Sequence, residues 1–298
     1  MRHIISIRDL GRDRIDRLIA EARRIQAKEF DPAALKGKIV ALLFFEPSTR
    51  TRMSFEAAMA RLGGTSINIG SVEVSSMAKG ETLADTIRVV SGYVDTIVLR
   101  HPKEGAARLA SEFSSVPVIN AGDGAGQHPS QTLLDLYTIS ESMPIEGIDI
   151  GLMGDLRYGR TVHSLAHALS LYGTRIHTIT PRGLELPSPL ANELRENGTE
   201  VIENEDITEV IRSLDVLYVT RIQRERFPDA ASYYNVASSY RITPDLLEGV
   251  RPHMIVLHPL PRVDEIAPEV DALKYAKYFE QARNGVPVRM AMLREVMQ

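Results

Sequence analysis

The sequence contains no cysteine, which excludes disulfide bonds and a thiol nucleophile. A metal site would need histidine and carboxylate ligands alone, and no HExxH spacing occurs. No apolar run approaches the length that crosses a bilayer. The N-terminal residues, MRHIISIRDL, lack the basic-then-apolar order of a signal peptide. Together these absences predict a cytoplasmic protein that needs neither a metal nor a cofactor.

The glycines near position 151 do not indicate a dinucleotide site. Gly151 and Gly154 follow a predicted strand, but the G-x-G-x-x-G spacing of dinucleotide-binding folds is absent. No acidic residue near position 175 ends a second strand as a ribose ligand would. We therefore predict a tight turn between a strand and a helix.

The chain has 298 residues, a length at which two domains of ordinary size are expected. Apolar residues make up 44% and charged residues 25%, as in an ordinary soluble globular protein. The formal net charge of -4 gives no reason to expect binding to nucleic acid or to an acidic membrane surface.

Strand and helix patterns alternate along the chain and restart after Pro144, following a first amphipathic helix that begins after Asp9 or Asp13. The first half predicts strands near 39–45, 66–69, 95–100 and 116–119, and helices near 51–62, 81–92, 104–113 and 130–142. The second half predicts strands near 148–153, 175–179, 199–203, 215–219 and 254–257, and helices near 160–171, 188–196, 207–213 and 243–248. This alternation favours an α/β protein with two doubly wound domains, each a parallel sheet flanked by helices.

The domain boundary is predicted within residues 140–147, around Pro144. Near the C-terminus, Gly285 and Pro287 predict a break, after which a helix resumes. Residues 70–80, GSVEVSSMAKG, are poor in apolar side chains and rich in serine, and they predict a loop, either mobile or a plain surface loop.

The most informative stretch is 44–64, FFEPSTRTRMSFEAAMARLGG. Its start ends an apolar run typical of a buried strand, and residues 55–62 place apolar side chains on one face of a helix. Residues 48–52, Ser-Thr-Arg-Thr-Arg, therefore lie at a helix N-terminus, whose N–H groups and dipole attract anions. Hydroxyl and guanidinium donors suit a phosphate in particular. The alternative is that Ser48 and Thr49 only cap the helix while the arginines are solvated.

This stretch resembles the carbamoyl-phosphate signature of the aspartate/ornithine carbamoyltransferase family. Six further segments, in family order up to about Asp271, resemble the aspartate-using catalytic chains of that family. The segments are KGETLADT, RHPKEGAARLA, NAGDGAGQHPSQTLLDL, GDLRYGRTVHSL, TRIQRERF and LHPLPRVDEIAPEVD. Seven segments in order are specific in a way that STRTR alone is not.

The resemblance implies transfer of the carbamoyl group of carbamoyl phosphate to L-aspartate, giving N-carbamoyl-L-aspartate and phosphate, in de novo pyrimidine biosynthesis. Such a reaction needs cations and N–H donors rather than a nucleophile. The resemblance also implies a carbamoyl-phosphate-binding domain, residues 1–143, and an aspartate-binding domain, residues 144–285. In the family a C-terminal helix, here about 286–298, returns to the first domain.

The resemblance further implies which residues bind carbamoyl phosphate. The set is Ser48, Thr49, Arg50, Thr51, Ser75, Lys79, Arg100, His128, Gln131, Pro259 and Leu260. The implied catalytic residues are Arg50, Thr51, Lys79, Arg100 and His128. Arg100, in the turn after a strand, is implied to bridge the phosphate and the carbamoyl oxygen, to which Thr51 and His128 also donate. Gln131 and the carbonyl groups of residues 259–261 are implied to accept from the carbamoyl NH2.

For aspartate, the family pattern implies contacts from Lys79, Arg160, Arg221, Gln223 and Leu260. Arg160 is implied to hold the α-carboxylate, whereas Arg221 and Gln223 are implied to hold the β-carboxylate. Domain closure is implied to use Glu46, paired with Arg160 and Arg226.

In the family, the loop residues that match Ser75 and Lys79 enter the active site of a neighbouring subunit, which implies a homotrimer with shared sites. Ala78 departs from the relatives that have a second lysine there, so that Lys79 is the only cation of the loop core. The sequence leaves open whether a separate regulatory chain binds.

Two alternatives remain at this point. A carbamoyltransferase for ornithine would bring a cationic side chain towards Arg221, which would repel it, and ornithine enzymes tend to have HCLP where this chain has HPLP at 258–261. A catalytically silent scaffold of the same fold often loses the phosphate-binding or histidine positions, and this chain retains them.

Overall fold

The computed structural model describes residues 2–69, 80–204, 206–222 and 240–298. Its contacts divide the chain into two compact units, one of Met1–Tyr137 with Asn284–Gln298 and one of Thr138–Arg283. The division falls inside a helix, a few residues before the predicted boundary at 143/144.

The first unit contains a parallel four-stranded sheet in the order β2-β1-β3-β4. Its strands are β1 (Ile39–Phe44), β2 (Thr65–Ile69), β3 (Thr96–His101) and β4 (Val118–Asp123). In the central strands, five of the six residues of β1 and all six of β3 are buried, which explains why these strands have apolar runs rather than alternating patterns.

Five helices of the described chain accompany this sheet in sequence. They are α1 (Gly11–Gln26), α2 (Thr49–Arg61), α3 (Leu83–Ser91), α4 (Ala106–Phe113) and α5 (Pro129–Ser142). The helices α1, α2 and α4 each bury an apolar stripe; in α2 it includes Phe55, Ala58 and Met59, as the sequence pattern predicts. The Thr82 hydroxyl caps α3 by accepting a hydrogen bond from the Asp85 N–H group.

The second unit contains a parallel five-stranded sheet in the order β7-β6-β5-β8-β9. Its strands are β5 (Asp149–Met153), β6 (Arg175–Ile179), β7 (Glu200–Asn204), β8 (Val216–Val219) and β9 (Ile255–Leu257). The helices α6 (Arg160–Ser170) and α7 (Ser188–Glu196) connect β5 to β6 and β6 to β7. The predicted class, two parallel sheets flanked by helices, is confirmed.

Two predicted helices of the second unit are wrong in type. Residues 207–213 form two 3-10 turns, Ile207–Glu209 and Ile211–Ser213, and residues 243–248 contain only the 3-10 turn Asp245–Leu247. The apolar residues Ile207 and Ile211 are buried in the core, so the predicted burial holds although the backbone is tighter. A single 3-10 turn suffices to bury one or two side chains where the chain is too short to propagate an α-helix.

The predicted break near the C-terminus is also wrong, because α8 (Tyr278–Met297) continues through Gly285 and Pro287. Proline removes one backbone hydrogen bond, but the residues that follow it are buried, so packing offsets the loss. The resumed part of the helix lies in the first unit, as predicted. There Arg14 of α1 forms a bidentate ion pair with Glu295 at 2.9 and 3.0 Å, and Arg294 pairs with Glu21.

Gly285 does not break the helix; its missing side chain lets neighbouring side chains pack close to the backbone. A Cβ atom at this position would lie 3.3 Å from Leu134 of α5 and 2.1 Å from the Arg289 guanidinium group. In the described ranges, neither α8 nor any other helix combines the length and the apolar character that a bilayer crossing requires.

Candidate active site

The first unit brings its candidate residues to one edge of its sheet. The neighbouring strands β1, β3 and β4 run parallel, so their carboxyl ends share an edge. Residues 48–51 follow β1, Arg100 lies near the end of β3, and His128 follows β4. Open α/β sheets bind ligands outside the carboxyl ends of their strands.

The N-terminus of α2 is not capped by a side chain. Ser48 occupies the N-cap position with φ -160° and ψ 89°, yet its hydroxyl makes no capping hydrogen bond. Thr49 and Arg50 are exposed, Thr51 is buried, and the Arg50 side chain has no partner in the part of the chain that the structure describes. In the alternative given above, the part that makes the Ser48 side chain a helix cap is therefore wrong, and this helix end presents free N–H, hydroxyl and guanidinium donors.

Arg100 is held by contacts on two sides. It lies inside β3, not in the turn predicted to follow the strand, because β3 continues to His101. Nη2 donates to Glu46 Oε1 at 2.9 Å, and Nη1 donates to the Ala121 carbonyl group at 3.2 Å. The guanidinium group is therefore oriented before any ligand binds. The predicted pairing of Glu46 in domain closure stays a prediction, and Arg226 lies outside the described residues.

His128 and Gln131 lie at the start of α5. Pro129 opens the helix, where its missing N–H group and fixed φ are tolerated. The His128 ring is buried, with Nδ1 3.3 Å from the Ser130 hydroxyl group. Gln131 is 8% exposed, and its Nε2 donates to Asp135 Oδ1 at 2.8 Å.

Two residues that the sequence analysis missed shape the loop before His128. Asn120 Nδ2 donates to Asp123 Oδ1 at 3.0 Å and to the Gln127 carbonyl group at 3.3 Å. Asp123 also accepts the Gln127 N–H group and, through Oδ2, the Gly105 N–H group, both at 2.9 Å. The signal in the sequence is a pair of polar residues at the end of a strand that enters a glycine-rich run.

The second unit places its candidates at one edge of the other sheet. Arg160 begins α6 after β5, Arg221 follows β8, and Pro259 and Leu260 follow β9. The strands β5, β8 and β9 are parallel neighbours, so these residues follow strand ends at the same edge. The turn after β5 is tight, as predicted: Gly154 has φ +116°, and a Cβ atom there would lie 2.3 Å from the Thr220 carbonyl oxygen.

A buried histidine and glutamate, neither of which the sequence analysis singled out, organise the segment around Leu260. Leu260 has φ +57°, which is unfavourable for a side chain of this kind. Its N–H group donates to His258 Nδ1 at 2.8 Å, so the other ring nitrogen, Nε2, carries the hydrogen and donates to Glu265 Oε1 at 2.7 Å. Glu265 Oε2 accepts the N–H groups of Val263 and Asp264, both at 3.0 Å. Burial raises the pKa of Glu265, but the hydrogen bonds from His258 and the backbone bring it below its usual value.

Three further predicted site residues, Ser75, Lys79 and Gln223, lie outside the described residues. Within residues 2–69, 80–204, 206–222 and 240–298, no group of three or more histidine or acidic side chains is arranged to hold a metal ion.

Two family models cover the chain. One, described as the carbamoyl-P binding domain of aspartate/ornithine carbamoyltransferase, matches residues 2–141, and the other, the Asp/Orn binding domain, matches residues 146–296. An aspartate carbamoyltransferase catalytic subunit of Methanosphaerula palustris is 76% identical over 297 residues, covering 100% of both chains. One from Methanoculleus marisnigri is 71% identical over 298 residues, again covering 100% of both chains.

Solved structures agree with these relatives. The catalytic subunit of M. jannaschii aspartate transcarbamoylase has a TM-score of 0.94 and 52% identity, covering 100% of this chain and 98% of that one. Aspartate transcarbamoylase from Trypanosoma cruzi, in complex with N-(phosphonacetyl)-L-aspartic acid, has a TM-score of 0.93 and 41% identity, with coverage of 100% and 96%. The resemblance found in the sequence is confirmed, and the chain belongs to the aspartate/ornithine carbamoyltransferase family.

Proposed function

We propose that this protein transfers the carbamoyl group of carbamoyl phosphate to the amine of L-aspartate. The observation that carries the proposal is the uncapped N-terminus of α2, where the side chains of Ser48 and Arg50 have no partner among the described residues. A helix end with free N–H groups, hydroxyls and a guanidinium group is suited to the phosphate dianion. The names of the relatives support aspartate as the acceptor.

In the proposed reaction, residues 48–51 hold the phosphate, while Arg100 and His128 donate hydrogen bonds to the carbamoyl oxygen. The aspartate nitrogen attacks the carbamoyl carbon, negative charge develops on that oxygen, and the bond to the phosphate oxygen then breaks. The departing phosphate takes the proton of the amine, so no enzyme base is required. The chain contributes fixed donors where charge develops, and such donors supply much of the rate acceleration in many enzymes. The hydrogen bonds that already orient Arg100 support this role.

For the acceptor, we assign the α-carboxylate to Arg160 and the β-carboxylate to Arg221 and Gln223, with Lys79 reaching both. The Pro259 and Leu260 carbonyl groups accept from the carbamoyl NH2, and Leu260 also accepts from the amine. The hydrogen bonds from His258 and Glu265 around Leu260 support this assignment, because they fix the backbone of the segment. The carbamoyl-phosphate-binding domain is then 1–143 with 286–298, and the aspartate-binding domain is 144–285.

We further propose a cytoplasmic enzyme of pyrimidine biosynthesis that forms a homotrimer, with Ser75 and Lys79 of one chain completing the site of the next. The family supports this assembly, and the relatives' names, which specify a catalytic subunit, make a regulatory chain the partner to test.

Steady-state assays with carbamoyl phosphate and either L-aspartate or L-ornithine test the proposal. We expect saturable formation of N-carbamoyl-L-aspartate and no turnover of ornithine, since the guanidinium group of Arg221 repels a cationic side chain. Turnover of ornithine alone would assign the chain to the other branch of the family. No turnover of either, together with no binding of N-(phosphonacetyl)-L-aspartic acid, would indicate a silent scaffold.

A further inference from the structure

Gln131 and Asp135 lie one helical turn apart on α5, and their side chains meet. Asp135 has no exposed surface and Gln131 is 8% exposed, so the 2.8 Å hydrogen bond from Gln131 Nε2 to Asp135 Oδ1 is shielded from water. A shielded hydrogen bond to a charged group is stronger than one at the surface.

The chemistry of this pair fixes the orientation of the Gln131 amide. An ionised carboxylate only accepts hydrogen bonds, so only the NH2 group of the amide can face Asp135. The carbonyl oxygen Oε1 must then point the other way. In the part of the chain that the structure describes, no donor reaches this oxygen. It is therefore a preset acceptor at the start of α5, beside His128.

A buried cation supports the charge on Asp135. Arg289 of α8 is 3% exposed and places its guanidinium group over the Phe55 ring, 5.2 Å from the centroid. Burial lowers the pKa of Arg289 to about 10, and the charge on Asp135 opposes this shift. Gly285 leaves room for the guanidinium group, since a Cβ atom there would lie 2.1 Å from Arg289 Nη1.

We propose that Asp135 is a specificity-determining positioning residue, which presents Gln131 Oε1 to the NH2 group of the carbamoyl donor, and that the buried guanidinium group of Arg289 supports Asp135 in this role. An acyl phosphate that carries a methyl group in place of NH2 cannot donate a hydrogen bond to Gln131 Oε1. The orientation of the amide therefore selects carbamoyl over acyl phosphates. This inference rests on the proposed function, in which Gln131 contacts the carbamoyl NH2.

The test compares the dissociation constants of carbamoyl phosphate, acetyl phosphate and inorganic phosphate for the wild type and for Asp135→Asn. Asparagine has nearly the same shape but can accept from or donate to Gln131, so the amide is free to turn. We expect carbamoyl phosphate to bind about tenfold more weakly, the effect of one hydrogen bond, with phosphate and acetyl phosphate unchanged. Asp13→Asn, on the exposed side of α1, is the matched control and should change none of the three.

Equal weakening of all three ligands, or an unchanged preference for carbamoyl phosphate, would overturn the inference. A wild type that does not prefer carbamoyl phosphate to acetyl phosphate would also overturn the inference. A wild type that binds carbamoyl phosphate no more tightly than inorganic phosphate and forms no N-carbamoyl-L-aspartate would instead contradict the proposed function, so the two failures are distinguishable. If Asp135→Asn does not fold, Gly285→Ala tests the role of Arg289, because the added Cβ atom would lie 2.1 Å from the Arg289 guanidinium group and, of α5, only 3.3 Å from Leu134. We expect a smaller loss of the same preference, and full retention would overturn the role of Arg289.

Arg289→Lys and Arg289→Met separate charge from packing. The lysine variant retains a cation, and we expect it to retain more of the preference than the methionine variant. Arg283→Met, at an exposed position of the same helix, is the control and should leave the preference for carbamoyl phosphate unchanged. Equal behaviour of Arg289→Lys and Arg289→Met would contradict an electrostatic role for Arg289.

Discussion

The amino edge of the second sheet and the carboxyl edge of the first sheet both carry charged side chains, but they use them differently. At the amino edge, Asp149 opens β5 and accepts two hydrogen bonds of 2.6 Å from Arg175. Asp215, just before β8, accepts from Arg251 at 2.5 Å and from His253 at 2.7 Å. The hydrogen bond from Arg175 holds the pKa of Asp149 below its usual value.

At the carboxyl edge of the first sheet, Ser48 does not cap α2 and Arg50 has no partner within the described residues. Two hydroxyls that make no hydrogen bond contribute little to folding stability. A cation without a partner at a helix N-terminus is even unfavourable, because that end of the helix dipole is positive. The comparison teaches that the paired charges at the amino edge of the second sheet serve stability, whereas the donors without partners at the start of α2 are available to a ligand. Substitutions at the amino edge should therefore lower stability and leave activity unchanged, whereas substitutions at the start of α2 should lower activity and leave stability unchanged.

The largest expected effect is that of Arg50→Ala on catalysis. Loss of a donor that faces developing charge costs about a hundred- to a thousandfold in rate, so kcat/KM should fall by at least that factor. The free energy of unfolding should change by less than about 0.5 kcal/mol, because no contact within the described chain is lost. Arg17→Ala, also exposed and without a partner in the described ranges, is the control and should retain full activity. An active, saturable Arg50→Ala enzyme would contradict the anion site.

Next in size is the effect of Asp149→Asn on stability. Removal of this carboxylate leaves Arg175 without its bidentate partner, whereas Arg251 keeps Asp215. We expect a loss of about 1–2 kcal/mol in unfolding free energy, the effect of hydrogen bonds to a charged group whose partner is half exposed. Activity per folded molecule should stay the same, since the residue is at the amino edge. Chemical denaturation and kcat/KM, measured on the same preparation, check both parts.

The same substitution should change how stability depends on pH. A carboxylate whose folded pKa is lowered stabilises the protein above the unfolded pKa of about 3.9, and loses that contribution as the pH falls through the folded value. The unfolding free energy of the wild type should therefore decline below about pH 4, and more steeply than that of Asp149→Asn. Identical slopes for the two proteins would show that Asp149 is not the group that titrates.

The smallest expected effects come from two N-cap substitutions. Thr82→Ala removes a hydroxyl that accepts from Asp85, and should cost about 1 kcal/mol of stability without changing activity. Ser48→Ala removes no capping bond, so stability should stay constant while affinity for carbamoyl phosphate falls severalfold, the effect of one hydrogen bond. Urea titration and a carbamoyl phosphate binding curve distinguish the two variants. A reversed pattern would show that Ser48 is a structural cap.

Sequence patterns predicted the sheets well because the buried strands of both units, such as β3 and β5, are short apolar runs bounded by turns. They failed at α8, where buried packing overrides the local effect of Pro287. Within the candidate site, the sequence motifs and their order along the chain predicted the residues that follow strand ends.

The supporting contacts were not accessible in the same way. His258 and Glu265, or Asp135 and Arg289, meet only once the chain is folded, and no local pattern says which polar side chains will be buried together. The absence of a capping bond at Ser48 is likewise a matter of geometry, because a serine before a helix is by composition a good cap.

The division of the chain has a consequence for biosynthesis. The first unit includes residues 284–298, whereas the second is the uninterrupted stretch Thr138–Arg283. Since translation proceeds from the N-terminus, the first unit emerges first, but it cannot form the ion pairs between α1 and α8 until Arg294 and Glu295 have been synthesised. The unit that emerges first from the ribosome is therefore finished last, and a nascent chain stalled before residue 284 would expose the apolar surface that this helix covers.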